Sequence, residues 1–232
     1  AQQRFDKSVK QTNISASGLM SSIKRMAGGL VTAYLSAKGL ETAIKAADEF
    51  ASTQARLGLI VDKGQSVQQL QNMIYGASQR ARGDFIAMAD NVSRLGLLAR
   101  EAFESTAELV AFTETMQKAF KVSGASIQEQ TAAMYQLSQA MAAGRLQGDE
   151  FRSVMENAPM LADAIAKFTG KSKSELKEMS AEGVITADII KGALFAAADD
   201  INTKFEQLPK TFGDVFQGLK NEAFYTFGTV FQ

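Results

Sequence analysis

The chain has 232 residues with 25 basic and 25 acidic side chains, a balance that excludes a function built on neutralising many phosphates, so no specific nucleic-acid binding is expected. It contains neither cysteine nor histidine, which removes disulfides, thiol nucleophiles, imidazole bases and the usual zinc ligand sets. Alanine, Gln, Met, Leu, Lys and Glu are plentiful and only two prolines occur, a helix-forming composition on a chain long enough for one substantial core or two smaller ones. The most apolar early passage, residues 26–40, contains Lys38 and is too short for a membrane span. The opening AQQRFDKSVK is polar and lacks an initiating Met, so it reads as part of something longer rather than as a signal peptide.

From Phe5 the apolar and small residues step by four and three through Val9, Thr12, Ala16, Leu19, Ile23, Met26, Leu30, Ala33, Ala37, Leu40 and Ile44 to Ala47. This seam predicts one long helix or two helices in register, with Gly28-Gly29 as the expected bend. A continuous helix over the span would reach about 65 Å at 1.5 Å per residue, so it must either fold back over the domain or self-associate. Asp62-Lys63-Gly64 closes the region. Ser66 with Gln69, Ser105 with Glu108, Ser126 with Glu129 and Ser172 with Glu175 have the spacing of capping boxes, and Asp84 and Thr186 are further N-cap candidates. Between them run apolar faces: Val67, Leu70, Ile74, Ala77 and Ala81; Met88, Val92, Leu95 and Leu98; Leu109, Phe112, Met116 and Phe120; Ala133, Tyr135, Leu137 and Met141. One helix is expected from Thr186 through Ile189, Ile190, Leu194 and Ala197 to near Leu208-Pro209. A last segment lines up Phe212, Val215, Phe216, Leu219, Ala223, Phe224 and Phe227, a stripe whose ordinary meaning is core and whose other reading is a partner site.

The stretch from Gly144 to Leu194 carries the most individual pattern and is the expected organising centre. Gly148, Asp149 and Glu150 open a segment with acids at the positive end of the helix dipole. Asn157-Ala158-Pro159 breaks it and Pro159 starts another, since proline is tolerated in a first helical turn. Gly170 ends that one. On GDEFRSVMENAP, the short helix closed by TG, and SELKEMSAEGVITADIIKGAL, the chain resembles the N-terminal tape measure domain of tail tape measure proteins from tailed bacteriophages and related tail-like particles. The resemblance extends upstream through FTETMQKAFKVSGASIQEQTAAMYQLSQAMAAG to ARLGLIVDKGQSVQQLQ and downstream to FEQLPKTFGDVFQGLKNEAF. It singles out Gly148, Glu150, Val154, Glu156, Ala158, Pro159, Leu161, Gly170, Leu176, Gly183, Thr186 and Leu194 as structural motif residues.

The resemblance implies a protein that runs inside the tail tube, sets its length during assembly and leaves when DNA is ejected. Its implied partners are other copies of itself and tail proteins: the tube, the initiator or a tail-assembly chaperone. It would reside in the tube lumen of the virion tail, and in the bacterial host cytoplasm during assembly. No catalytic residue, metal ligand, cofactor or small-molecule substrate is expected. The neighbouring acids Asp149-Glu150 and Asp199-Asp200 point about 100° apart on a helix and read as N-terminal charges and a solvated face. Gly144-x-x-x-Gly148 lacks the lysine and hydroxyl of a phosphate loop, and Ser172-Lys173 puts its two groups on different faces. Lys167, Lys171, Lys173 and Lys177 read as solvated surface, and Met116, Met134, Met141, Met155, Met160 and Met179 as core filling.

The expected fold is therefore all-α: residues 1–60 as a long helical arm and 61–232 as a compact bundle of short helices. Two rival readings stand beside it: a generic helical adaptor, which would share the helical pattern but not the central motif, and, ranked below it, a tail-associated cell-wall hydrolase.

Overall fold

The computed structural model describes residues 37–230. The chain divides into two units, residues 1–48 and 49–232, and the packing below is that of the second. Among the described residues the fold is all-α, with eleven α-helices, a short 3₁₀ turn and one isolated β-bridge. Helix α1 is Ala37–Gly58, and the seam upstream of it, with its Gly28-Gly29 bend, lies outside the described residues. Then follow α2 (Val67–Arg80), α3 (Phe85–Leu98), the 3₁₀ turn Arg100–Ala102, α4 (Thr106–Ser123) and α5 (Ile127–Ala142). Helices α6 (Gly148–Asn157), α7 (Pro159–Thr169), α8 (Lys173–Ala181), α9 (Ala187–Ala196), α10 (Ala198–Gln207) and α11 (Phe212–Val230) complete the order.

Local chemistry starts most of these helices. Ser66/Gln69, Ser126/Glu129 and Ser172/Glu175 form complete capping boxes, each satisfying two backbone donors that the first turn leaves without partners. Asp84 and Thr186 cap α3 and α9 through the amides of Ala87 and Ile189. Ser105 also caps α4, but the reciprocal half of that box is absent. The Glu108 carboxylate instead accepts from the Glu104 amide at 2.6 Å and pairs with Lys191 of α9 at 3.1 Å, in a setting where neither side chain is more than about a quarter exposed.

Half of the other described helices pack on α4, which makes it the centre of the fold rather than the expected stretch from Gly144 to Leu194. Helices α2, α3, α7, α9 and α10 all lie against it. Leu109, Phe112, Met116, Ala119 and Phe120 are fully buried, and so is Thr113, whose hydroxyl donates to the Leu109 carbonyl. Such complete enclosure explains why periodicity undersells this helix: buried on most of its circumference, it has little polar face to contrast with. Each large apolar side chain enclosed there contributes about 1.5–3 kcal/mol of transfer free energy.

Packing also breaks the helix expected to run from Thr186 to Leu208. The chain turns at Ala197 (φ −93°, ψ 0°), separating α9, which buries Ile190, Ala193 and Leu194, from α10, which buries Ile201 and Phe205. Helix α9 lies on α7 and α4 whereas α10 lies chiefly on α4, so the two apolar faces need different directions.

Candidate functional site

The stretch singled out by the sequence folds as four short helices, α6 to α9, joined to the end of α5. Its loops are tied by the bridge between Arg145 and Thr186: the Leu146 amide donates to the Ile185 carbonyl at 2.7 Å and the Ala187 amide to the Gly144 carbonyl at 3.0 Å. Leu146 and Ile185, one on each side, are fully buried, so the apolar core and the paired backbone hold the same junction. Gly183 sits beside it at φ +69°, where a Cβ would stand 3.2 Å from Arg145 Cδ, so a side chain there would meet both backbone strain and a neighbour.

The twelve motif residues fall into three groups. Val154, Ala158, Leu161, Leu176 and Leu194 are buried and join the common core. Gly148, Gly170 and Gly183 occupy left-handed backbone, while Pro159 is the first residue of α7 and Thr186 caps α9. Glu150 is half-buried in the first turn of α6, with its carboxylate beside Gly148, and Glu156 is exposed near the end of that helix. Fully buried Ala158 is the elbow between α6 and α7, with φ −131° and ψ 56°.

Charged groups here serve structure. Asp149 pairs with Arg152, Asp200 with Lys204 and Lys173 with Asp163, all solvent-exposed. Lys171 joins Glu175, whose carboxyl the Ser172 amide and hydroxyl, then Lys171, hold down at about 2. Among the described residues no three acidic side chains gather as a metal site would require. Met116, Met134 and Met141 are buried, and Met155, Met160 and Met179 pack against the core. A cleft of about 560 Å³ lies between the 3₁₀ turn, α5 and the start of α9, lined by Leu97, Leu98, Arg100, Met141, Thr186 and Asp188. Arg100 is held in its wall by Asp62 at 2.5 Å and the Phe103 carbonyl at 2.6 Å.

The feature that sequence reasoning missed is the seating of α11. Its polar side faces the body. Asn221, 2% exposed, accepts from the Phe85 amide at 2.9 Å and donates to the Gly83 carbonyl at 2.7 Å. Lys220 and Gln217 reach Asp84 at 2.8 and 2.9 Å, and Asp214 accepts from Lys121 at 2.8 Å. Tyr225 stacks on Tyr75 with centroids 4.4 Å apart. Burial works to raise the carboxyls of Asp84 and Asp214, but the lysines and hydrogen-bond donors around them outweigh it and hold both below the usual carboxylate range. The expectation that the phenylalanine stripe is core fails on this helix. Phe212, Val215, Phe216 and Leu219 face solvent at 97, 58, 71 and 60% exposure, while the side chains of Ala223, Phe224 and Phe227 lie outside those described. The reason is competition: Asn221, Asp214 and Lys220 find buried or charged partners on the body, and a helix can turn only one face inward. An isolated Asn and Lys between phenylalanines were the available signal.

No described helix is long and apolar enough to cross a membrane. Neither the curated proteins nor the solved structures provide a match to this chain. A family model described as tape measure protein matches residues 41–230, the span from within α1 to the end of α11 and most of the chain. With an all-helical body stapled at these glycines and caps, and matched over that length, the chain belongs to the tape measure protein family, structural proteins of the bacteriophage tail.

Proposed function

We propose that this chain acts in tail assembly and in setting tail length, through helix-mediated contacts with copies of itself and with tail proteins such as the tube, the initiator or an assembly chaperone. The family match over residues 41–230 carries this reading. In the proposed organisation residues 1–60 form an extended arm and 61–232 a folded head, with the motif residues from Gly148 to Leu194 holding the head's shape. The head works in the tube lumen of the virion tail and, before that, in the cytoplasm of the host during assembly. Its role is mechanical. Rigid helices suit that role, since a helix advances 1.5 Å per residue and so converts chain length into distance.

The test is tail length seen by negative-stain electron microscopy of particles carrying this protein. We place the length-measuring rod of the tape measure protein next to this head, and in-frame deletions in that rod should shorten tails by about 1.5 Å per residue removed. Tails of unchanged length refute the ruler role. A peptidoglycan zymogram should show no lytic band, and a band abolished by Asp or Glu substitution would overturn the non-enzymatic reading.

A further inference from the structure

We infer that the outward face of α11 is a self-association surface, through which two copies of this chain pair helix to helix. The inference deepens the proposed function, since it rests on that reading's contacts among copies and names where one of them lies.

Three observations on the same helix carry it. First, α11 is seated by its polar side, and the buried Asn221, bridging the Phe85 amide and the Gly83 carbonyl, defines which way it faces. The stripe is thus presented by a specified docking rather than left over from a loose end. Second, Phe212, Val215, Phe216 and Leu219 stand at i, i+3, i+4 and i+7, the spacing of a seam between two helices, and none of the four is charged. A face of this kind is complementary to itself: under a two-fold axis the same patch meets its copy, with no demand for an opposite charge on the partner. Third, the areas fit. From their exposures the four side chains leave about 500 Å² of apolar area on one face, near the upper end of what a monomer shows. Two copies together would enclose about 1,000 Å², the size at which specific interfaces begin.

The absence of cysteine from the chain makes the test clean. Phe216→Cys places one thiol at the middle of the stripe, and mild oxidation should link two chains there. The same substitution at exposed Glu182, beyond the end of α8, should not. Sedimentation equilibrium of the unmodified 232-residue chain should give twice the chain mass at the upper end of a concentration series. Phe216→Glu, and separately Leu219→Lys in case the first variant folds poorly, should return it to one chain mass with an unchanged far-ultraviolet circular dichroism spectrum. A single chain mass at every concentration overturns the inference. So does a dimer that both variants leave intact, which places association elsewhere, as on the seam of residues 5–47. A monomer whose melting temperature falls with Phe216→Glu overturns it too, because the stripe is then covered within one chain. None of these results touches the tail-length experiment, so the two readings fail separately.

Discussion

Replacing Asn221 by alanine removes the one side chain that joins α11 to the start of α3 through two backbone groups. The Phe85 amide and the Gly83 carbonyl, 2.9 and 2.7 Å from the carboxamide, both lose their partner, and Asn221 itself is 2% exposed, so water does not replace it while the helix stays seated. A buried donor or acceptor left alone costs about 1–3 kcal/mol, and since the Gly83 carbonyl is only partly enclosed the sum is about 3 kcal/mol. Unseating α11 relieves that cost by admitting water, and the core beneath α4 is unaffected. The loss therefore appears as local opening, and about 3 kcal/mol corresponds to roughly a hundredfold change in an opening equilibrium. Hydrogen exchange followed by mass spectrometry measures it directly. Peptides from residues 212–222 should lose about two decades of protection while those from α4 keep theirs. If both lose protection equally, α11 unfolds with the body and the reasoning is wrong. If neither changes, the carboxamide is not the latch.

The same latch is acid-sensitive. Asp84 and Asp214 have folded pKa values below the ordinary 3.8, so their pairing stabilises the docked helix above about pH 4 and is lost as the pH falls through the lower folded values. Protection of residues 212–222 should therefore fall at acid pH before that of α4. Leu194→Ala empties a fully buried position in the core and should cost about 3 kcal/mol, lowering the melting temperature by about 10 °C in calorimetry. An unchanged midpoint would place Leu194 outside the common core. Thr186→Val keeps the shape but removes the hydroxyl that accepts from the Ile189 amide, for a loss of about 1 kcal/mol in urea denaturation. The bridge at Arg145 is made by backbone atoms and should survive it, so Gly183→Ala, which strains that junction, should cost more than the cap does.

Helix class, most helix starts and the turn at Gly170 could be read directly from residues, because a capping side chain or a left-handed glycine acts on its own few neighbours. Ser66, Ser126 and Ser172 have the same meaning in any helical fold. Glu108 shows the limit: its spacing from Ser105 was right, yet Lys191, 83 positions further along the chain, offered a partly buried cation and took the carboxylate. The same holds for the central helix. Thr113, Glu114, Gln117 and Lys118 are polar, but α4 is enclosed nearly all round, and Glu114 is sheltered between Arg80 and Lys118. Burial there works to raise the Glu114 carboxyl and the two cations overcome it, keeping it ionised and below its usual value.

What the sequence determined by itself was the kind of element, where most elements begin and end, and membership of a tail protein family, since all of these rest on contacts within a few residues or on a run of residue types. Tertiary structure alone decided which helix sits at the centre, that the helix after Thr186 turns at Ala197, and that α11 shows its phenylalanines to solvent. Those outcomes depend on which of several possible partners each face finds. In α11, one buried carboxamide and two ion pairs distant in sequence outweighed a stripe of four apolar side chains, a comparison of energies that no periodicity contains.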